Sequence, residues 1–420
     1  MQVRYRNECL VLALLRRLGT ATKADLARYT NLTANTVGQI VEDLERGGLV
    51  RSDGKRHGDR GPPATLVRLD PQGARSIGVK VGRRSLDTVL VDFTGQVITQ
   101  CRRECSFPLP EQALALLVED IAAVRATLAA TDGASRLAGL GIAVPYNLGC
   151  WRRELDIPAE AHKAWNGFDL AGRLAAATGL PTLLENDGTA AVVAELFLGR
   201  GREVDDFLYL FLGTAAGGGV VIGGDYHRGA HGNAGDLGLM PTSPSRLATA
   251  PSPRHGEILL TRASISALRR HLRGANVVAA TREQLDAAIA AWPALVDEWL
   301  DDAADALVDP FLSATCVLDV EAIVLDGDLP RPVLEGLLKR LRRLLPAAAP
   351  EERKTSPIGL GRVGRHAAAI GAAILPLHVH YSPGRAALSN GADRAVGPRV
   401  AAGRLPRLRS LAPQLGWREA

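Results

Sequence analysis

The sequence predicts an α/β protein in which a small helical unit precedes a larger body of mixed strands and helices. Within residues 1–70, apolar side chains repeat at helical spacing, and two short segments that alternate like strands follow them. From residue 76 onward, apolar strands alternate with longer helical segments, as in folds whose helices cover the faces of a sheet. Hydrophobic residues make up 46% of the chain, which is enough for a sizeable core.

Positive charge is concentrated at the two ends of the chain. Residues 1–69 contain 12 Lys or Arg against 7 Asp or Glu, and residues 381–420 contain 7 Arg against 2 acids. Because the whole chain carries a net charge of +5, the residues between the ends are mildly acidic. A nucleic-acid contact at a basic end would explain this distribution, and a solvated charged surface would explain it equally well.

Cysteine usage and hydropathy exclude several classes of protein. The five cysteines are scattered, and the pair in CRREC (101–105) has no neighbouring His or second pair to complete a metal site. Idle or buried thiols in a reducing compartment are the better interpretation, and we expect no metal and no other cofactor. No stretch approaches the roughly 20 apolar residues of a membrane helix, and the N-terminus lacks a signal cleavage site, so we expect a cytoplasmic protein.

Three helices are expected in the first 50 residues. In Glu8–Leu18 the apolar residues fall at i, i+3, i+4 and i+7, on one face of a helix. Thr22–Tyr29 is predicted to be a short second helix with Thr22 as its N-cap, and residues 30–33 a tight polar turn. The third helix, Ala34–Arg46, keeps the apolar spacing and stops at two glycines.

A short helix, a tight turn and a second helix with a polar outer face indicate a helix-turn-helix. The side chains predicted to reach bases or phosphates from that face are Thr33, Asn35, Thr36 and Gln39. Strands at Leu49–Ser52 and Ala64–Leu69 would flank a basic hairpin, a wing with candidate DNA contacts at Lys55, Arg56 and Arg60. A small three-helix unit that binds no DNA is the alternative; the spacing, the polar face and the basic wing together favour DNA binding.

The rest of the chain is predicted to alternate between strands and helices after a turn at 69–73. Strands are predicted at 76–81, 86–92, 97–101, 137–144, 181–185, 207–212 and 219–223, and helices at 111–130, 168–178 and 188–198.

Several of these segments resemble the ROK family, whose name covers repressors, open reading frames and kinases. The resemblance begins with the winged helix-turn-helix, continues in GDRGPPATLVRLD (58–70) and ends in IGLGRVGRHAAAIGAA (358–373). Between them it rests on IGVKVG (77–82), GIAVP (141–145), LLENDGTAAVVAELF (183–197), FLGTAAGGGVVIGG (211–224), HGNAGDLG (231–238) and IVLDGDL (323–329). It implies an actin-like ATPase fold, two α/β lobes with a cleft between them, behind the winged helix-turn-helix.

The resemblance also implies a division of the chain. Residues 1–70 would be the DNA-binding domain, residues 71–380 a sugar-kinase-like body for ligand sensing and oligomerisation, and residues 381–420 a basic tail rich in Pro, Gly and Arg. Disorder and an additional DNA contact are the two interpretations of the tail. Family members with the N-terminal module are typically sugar-responsive regulators, and those without it are typically ATP-dependent sugar kinases.

The phosphate-binding motifs of the kinase members are altered in this sequence. Their first loop reads roughly Asp-x-Gly-Gly-Thr, and the matching stretch here contains Lys80, Arg83 and Arg84. Because a lysine cannot hold Mg²⁺ and two arginines would crowd an incoming phosphate, we expect no catalytic residues and no kinase activity. A glycine-rich turn at 213–219 would be a vestigial phosphate loop, and a plain hairpin turn is an equally good interpretation; its candidate residues are Gly213, Thr214, Gly217 and Gly218.

A sugar-like pocket is implied at the positions of the family's sugar contacts. By resemblance, Asp187 occupies the position of the general base, now vestigial, and Asn186 and Asp236 those of sugar-binding residues. From spacing alone, Asp187 would more simply cap the helix that follows it. The resemblance favours a ligand contact instead.

The family's zinc site is missing from the sequence. The motif with a zinc-binding His reads Asp-Leu-Gly-Leu at 236–239, and no cysteine follows within 241–260. We interpret His227, His231 and His255 as surface or pocket-rim residues, and the family's further sugar-binding Glu aligns with Leu260. Because two polar contacts have become leucine, the expected effector is an unusual sugar, a sugar derivative or a less polar molecule, or there is none.

These observations predict a sequence-specific DNA-binding regulator, a repressor that responds to a sugar or sugar derivative. It would act as a dimer or tetramer on a double-stranded operator, because paired half-sites multiply the base contacts. The alternatives are an ATP-dependent sugar kinase that retains a DNA-binding module, and a repressor that senses no ligand. No membrane partner is expected.

Overall fold

The computed structural model describes residues 2–56, 63–129, 136–146, 148, 163–251, 257–351 and 353–383. These residues form an N-terminal module and two lobes, each lobe built on a five-stranded sheet. Arg60 of the predicted wing, His255, Cys150 and most of the predicted tail lie outside the described residues.

The N-terminal module contains three helices and a three-stranded antiparallel sheet. Its elements are α1 (Gln2–Leu18), β1 (Thr20–Thr22), α2 (Lys23–Thr30), α3 (Ala34–Arg46), β2 (Val50–Arg56) and β3 (Ala64–Leu69), with strand order β1-β3-β2. The predicted bounds of α3 and β3 are confirmed, whereas α1 begins at Gln2 rather than at Glu8. The prediction missed β1, because three residues are too few to show a period.

Two capped helices form the helix-turn-helix. Thr22 caps α2 as predicted, in a capping box: its hydroxyl accepts from the Asp25 N–H, and the Asp25 carboxylate accepts from the Thr22 N–H. Asn31 ends α2 with a φ of 58°, and Thr33 caps α3 by accepting from the Thr36 N–H. These caps fix the turn at 31–33 and so the angle between α2 and α3.

The first lobe is a mixed sheet with helices on its faces. Its strands are β4 (Arg75–Val81), β5 (Ser85–Asp92), β6 (Val97–Glu104), β7 (Leu137–Val144) and β8 (Thr182–Asn186), in the order β6-β5-β4-β7-β8. The three strands β4 to β6 are antiparallel, and β7 and β8 run parallel to β4. The helices of this part of the chain are α4 (Pro110–Ala129), α5 (Leu170–Thr178) and α6 (Asp187–Leu198).

The second lobe repeats the strand order of the first. Its sheet contains β9 (Phe207–Leu212), β10 (Ala216–Ile222), β11 (Asp225–His227), β14 (Ala322–Gly327) and β15 (Ile358–Leu360), in the order β11-β10-β9-β14-β15. A small ribbon precedes β14, formed by β12 (Pro241–Thr242) and β13 (Glu257–Ile258). The strand predicted at 219–223 begins at Ala216, so Gly217 and Gly218 lie in β10, and the predicted turn at 213–219 was too long.

Helices cover this second sheet as well. They are α7 (Leu259–Arg262), α8 (Ile265–Gly274), α9 (Arg282–Ala291), α10 (Pro293–Leu318), α11 (Arg331–Ala348) and α12 (Ala367–Tyr381). Among the described residues, none of the helices combines the length and the apolar character needed to cross a membrane.

The lobes are joined by α6 and α12, which share one buried core with strands of both sheets. Gly371 of α12 lies against the Ala190 carbonyl of α6, and Gly141 of β7 against the Ala372 carbonyl, so closely that a Cβ at either glycine would overlap the neighbouring backbone. Glycine is therefore required at both positions. This close packing places the start of α6 at the junction of the two lobes.

The N-terminal module packs directly on the body. Leu14 and Leu15 of α1 belong to the same buried core as Phe93, which follows β5, and as Ala373 and Leu377 of α12. The module and the body therefore share apolar side chains across the turn at 69–73.

Candidate functional site

The predicted DNA contacts lie on the outward face of α3. Thr33, Asn35 and Gln39 are exposed and Thr36 is half-buried, whereas the apolar side chains of the helix, including Val37 and Ile40, are buried. The Thr33 and Thr36 hydroxyls lie 2.8 Å apart. Asn35 and Gln39 are one turn apart on the exposed surface, where amide side chains can pair with base edges.

The base of the wing is tied to the helix-turn-helix. Lys55 is exposed near the end of β2, and Arg56 pairs with Asp25 of α2 at 3.0 Å. The same carboxylate also pairs with Arg28 at 3.1 Å. Asp25 of the helix-turn-helix thus pairs with two arginines, one on its own helix and one at the base of the wing.

A cleft of about 230 Å³ opens between the lobes. The structure brings the predicted residues of the body together in this cleft. The predicted residues that line it are Lys80, Arg83, Arg84, Asn186, Asp187, Gly213, Thr214, Gly217, Gly218 and Asp236. The predicted ligand contacts and both altered phosphate motifs therefore face one space.

The junction of β8 and α6 orients two of these side chains. Asn186 caps α6, because its Oδ1 accepts from the Gly188 N–H at 2.9 Å and from the Thr189 N–H at 3.2 Å. Asp187 is the first residue of α6, and its carboxylate accepts from the Gly188 N–H at 3.0 Å. The capping role considered for Asp187 thus belongs to Asn186, and Asp187 lines the cleft.

A second carboxylate faces the cleft from the other lobe. The Asn233 amide donates to the Asp236 carboxylate at 2.9 Å. Burial raises the pKa of Asp236, and the nearby charge of Asp187 raises it further. These two carboxyl groups offer oxygen atoms that can accept from the hydroxyl groups of a ligand.

The turn between β4 and β5 presents cations to the cleft. The Gly82 N–H donates to the Ser85 carbonyl at 2.9 Å, which closes the turn, and the Arg84 guanidinium donates across the cleft to the Ala280 carbonyl at 3.2 Å. The Lys80 ammonium lies 5.9 Å from the centre of the Phe211 ring. Its cross-strand neighbour Asp87 is engaged elsewhere, with Ser85 at 2.8 Å and with Arg102 at 3.2 Å.

The glycine-rich turn is held by the helix behind it. Residues 213–215 connect β9 to β10, and the first N–H groups of α8, from Ile265 and Ser266, donate to the Gly213 and Thr214 carbonyls. A side chain at Gly217 would meet no atom within 4 Å, so this part of β10 borders open space.

An ionic network occupies the region where the resemblance would place a zinc loop. Arg262, which is 1% exposed, donates to the Asp302 carboxylate at 2.7 Å and to the Ser243 carbonyl at 2.6 Å, and its own carbonyl accepts from Trp299. Within the described ranges, no group of three or more His, Cys, Asp and Glu side chains is arranged to hold a metal ion.

The other altered positions of the pocket differ in their surroundings. Leu260 is buried and packs against Phe107 and Ala215, whereas Leu239 is 44% exposed and lines the cleft. His227 and His231 are exposed.

Sequence reasoning missed other polar residues that also line the cleft, among them Arg102, Asn233 and Asp328. Asn233 and Asp328 lie within the quoted segments HGNAGDLG and IVLDGDL, so the resemblance contained a signal for both. Arg102 had none, because only the fold brings the edge strand β6 to the cleft.

Comparison with known proteins gives consistent matches. The model of the ROK family matches residues 76–378. The chain is 28% identical over 390 residues to the protein y4fQ of Sinorhizobium fredii (strain NBRC 101917 / NGR234), covering 92% of this chain and 93% of that protein. It is 24% identical over 238 residues to the xylose repressor of Bacillus subtilis (strain 168), covering 57% of this chain and 61% of the repressor, so the match spans less than two thirds of that relative.

A solved structure extends the similarity in fold to most of the chain. The ROK family transcriptional regulator described as a homologue of the E. coli MLC protein matches with a TM-score of 0.66 and 22% identity, covering 91% of this chain and 98% of that one. This match includes two α/β lobes with the actin-like ATPase fold. Because the family model covers well over half of the sequence, the chain belongs to the ROK family.

Proposed function

We propose that this protein is a sequence-specific transcriptional repressor whose affinity for a double-stranded DNA operator changes when a sugar or sugar derivative binds in the cleft. The observation that carries the proposal is the exposed polar face of α3, in a module that packs directly on a body with a polar cleft. Its similarity to a xylose repressor and to a ROK transcriptional regulator supports the same conclusion.

On the DNA side, the two amides of α3 have the chemistry to read sequence. Asn35 and Gln39 would hydrogen-bond base edges in the major groove, while Thr33 and Thr36 would contact phosphates beside it. In the wing, Lys55, Arg56 and Arg60 would add phosphate or minor-groove contacts. Because one module makes few base contacts, the repressor would bind as a dimer or tetramer on paired half-sites.

On the ligand side, Asn186, Asp187 and Asp236 would hold a polyhydroxylated molecule. Asn186 uses its oxygen to cap α6, so its NH₂ group is the part that would donate to a ligand. Asp187 would act as a ligand contact rather than as a general base. Binding would favour one arrangement of the lobes and so shift the population of the DNA-binding state.

The second candidate is an ATP-dependent sugar kinase that retains a DNA-binding module. The position of Asp187 in the cleft favours it. We propose that the protein is not an enzyme, because Lys80, Arg83 and Arg84 line the cleft where nucleotide phosphate and Mg²⁺ would need a carboxylate and a small hydroxyl. Hexose-dependent ATP turnover that disappears in Asp187→Asn would contradict this.

The test of the repressor is a footprint of the purified full chain on the DNA upstream of its own gene. At roughly 0.15 M salt with excess competitor DNA, non-specific binding is suppressed and specific contacts persist. A protected, roughly palindromic site is expected. Salt-sensitive binding without any protected site would overturn the proposal for that DNA, and selection from random DNA sequences that enriches no motif would overturn it altogether.

A further inference from the structure

An ion pair joins the two lobes beside the ligand residues of the cleft. Glu185 lies near the end of β8 in the first lobe, and Arg228 follows β11 of the second lobe. The Arg228 Nε lies 2.8 Å from the Glu185 Oε2. Because Asn186 and Asp187 come immediately after Glu185, this contact between the lobes adjoins the residues that would hold a ligand.

The carboxylate of this pair is buried. The Glu185 side chain is 1% exposed, whereas the Arg228 side chain is 40% exposed. The Glu185 Oε1 accepts from the Asn186 N–H at 2.9 Å. Its Oε2 has no hydrogen bond of good geometry among the described residues, so the charge of Arg228 is what stabilises it. Because a buried carboxylate is strongly unfavourable without its cation, the pair should resist separation of the lobes at this point.

On the second lobe, Arg228 begins the loop 228–236, which ends at Asp236. The Arg228 carbonyl accepts from the Ala234 N–H at 3.2 Å, so the loop closes on itself. Gly235 has a φ of 85° and packs on β10 so closely that a Cβ would lie 2.6 Å from the backbone of that strand, so glycine is required there. The loop is therefore a compact unit, and a shift at its first residue would be transmitted to its last.

Two of the ligand residues depend on the relation of the lobes. Asp187 follows β8 of the first lobe and Asp236 follows β11 of the second, yet both line the same cleft. Glu185 precedes Asp187 by two residues, and Arg228 lies at the other end of the closed loop from Asp236. An attachment between Glu185 and Arg228 therefore limits how far the two ligand carboxylates can move apart.

We propose that Arg228 is a positioning residue for the ligand site. By pairing with Glu185 across the two lobes, it holds the loop 228–236 in place, so that Asp187 and Asp236 can contact the same ligand. This inference rests on the proposed function, because it concerns how the cleft binds its sugar. Arg228 is not among the described residues that line the cleft, so it acts on ligand affinity through the loop rather than by contact.

The first arm of the test follows the loop itself and needs no ligand. Hydrogen exchange of residues 228–237 is compared between the full-length parent protein and Arg228→Met. Exchange of this segment should rise about 10-fold in the variant, because one attachment of the loop is lost. Arg246→Met, which removes an exposed arginine from the same lobe, should exchange like the parent. A pair that only stabilised the fold would raise exchange throughout both lobes, and that result would overturn the positioning role.

Two further variants connect the effect to the pair. Arg228→Lys should restore slow exchange, because the contact with Glu185 requires one positive charge and not the two parallel hydrogen bonds that only arginine can make. Glu185→Gln keeps an oxygen for the Asn186 N–H but removes the charge, so it should speed exchange of the loop as Arg228→Met does. The two changes combined should have no larger effect than either alone. Fully additive effects would show that the two residues act separately and would overturn the pair.

The second arm measures what the pair contributes to binding. Xylose, glucose and an array of other neutral mono- and disaccharides are titrated into the full chain, and binding is followed by thermal stability and by calorimetry. A sugar that binds the parent protein should bind about 10-fold more weakly to Arg228→Met, because its two carboxylate contacts are no longer held together. Arg228→Lys and Arg246→Met should bind it with the affinity of the parent.

The outcomes separate this inference from the proposed function. Unchanged exchange of the loop in Arg228→Met overturns the positioning role and leaves the repressor intact, and so does faster exchange with unchanged sugar affinity. An array in which no sugar binds the parent protein overturns the proposed sugar site and the positioning role with it. Sugar binding that depends on Arg228, in a protein that selects no DNA motif, supports the positioning role and overturns the repressor.

Discussion

Gln39 provides the sharpest residue-scale test of DNA recognition. Its amide lies on the exposed face of α3, so Gln39→Ala should leave the fold intact. If the amide reads a base, the variant should lose about 1–3 kcal/mol of operator affinity and tolerate substitution at one base pair. Operator affinities for the parent sequence and for single-base variants measure both effects.

Gln112→Ala is the matched control for this prediction, because Gln112 is an exposed glutamine on α4 of the body. It should bind the operator like the parent protein. If Gln39→Ala and Gln112→Ala bind the operator with equal affinity, Gln39 of α3 does not contribute to base recognition.

The buried carboxyl group of Glu195 should make the free energy of unfolding depend on pH. Glu195 is 0% exposed within α6, and its carboxylate accepts from the N–H groups of Arg200, Arg362 and Val363 at 2.9, 3.0 and 3.2 Å. Burial outweighs these bonds and raises the pKa of Glu195 to about 7, from an ordinary value of 4.5. The folded state therefore binds more protons than the unfolded state between these two pH values.

The stability that protonated Glu195 contributes is full below pH 4.5 and is lost as the pH rises through about 7. The free energy of unfolding should fall over this range by at most about 3 kcal/mol from this group. Urea denaturation from pH 5 to pH 8 should show this decline in the parent protein and in the exposed control Glu335→Gln. A decline of equal slope in Glu195→Gln would rule out Glu195 as its source.

At the residue scale, the sequence predicts a side chain's role best where that role follows from a short local motif. The Thr22 cap and the positions of Asn186, Asp187 and Asp236 in one cleft follow from short motifs. The N-cap of α6 was harder to assign from the sequence. Asn186 and Asp187 are neighbours of residue types that cap helices equally well, and only the backbone conformation decides between them. Glu195 gave no signal, since burial of a carboxylate arises from the packing of α6 against both lobes.

At the scale of elements, charged side chains hold the residues that follow β12 against α10. Arg262 connects them to α10 through Asp302, and both side chains are buried. Arg262→Ala should lower the free energy of unfolding by about 3–5 kcal/mol, because the Asp302 carboxylate is left buried without its partner. Arg262→Met combined with Asp302→Leu should recover much of this loss, because neither charge remains.

Urea denaturation measures these variants, with Lys23→Ala as the control. Lys23 forms an exposed pair with Glu42, so its loss should cost less than about 1 kcal/mol. A chelator should leave the stability of the parent protein unchanged. Stability that falls with chelator and returns with zinc would show that a metal, and not Arg262, holds this segment.

Elements with a clear apolar period were predicted closely, including α3, β3, β7 and β9. Short or glycine-rich elements were not: β1 has three residues, and the start of β10 has three glycines that suggested a turn. In β10 the strand persists because its backbone pairs with β9 from Ala216 onward. Tertiary pairing thus overrides a local preference that the sequence alone cannot weigh.

At the scale of the whole molecule, α1 contacts both lobes. The Arg16 guanidinium, 6% exposed, lies 5.5 Å from the Phe93 ring of the first lobe and 5.3 Å from the Phe197 ring at the end of α6. Arg17 pairs with Asp205, just before β9 of the second lobe, at 2.5 Å. Since α1 also shares a core with α3, a change in the relation of the lobes would reach the helix-turn-helix through α1.

Coupling of this kind is reciprocal, so operator binding must alter the body as much as a ligand in the cleft alters DNA affinity. Hydrogen exchange of residues 205–224 should therefore change when the operator binds, by an amount that corresponds to about 1–3 kcal/mol. Arg17→Met combined with Asp205→Leu removes both charges of the buried pair and should diminish this change while DNA binding persists. Arg4→Ala, which breaks a pair with Asp43 inside the module, should preserve the change. An undiminished change in the double variant would assign the coupling to the apolar core shared by α1 and α12, because that contact would then remain as the route between the DNA-binding module and the cleft.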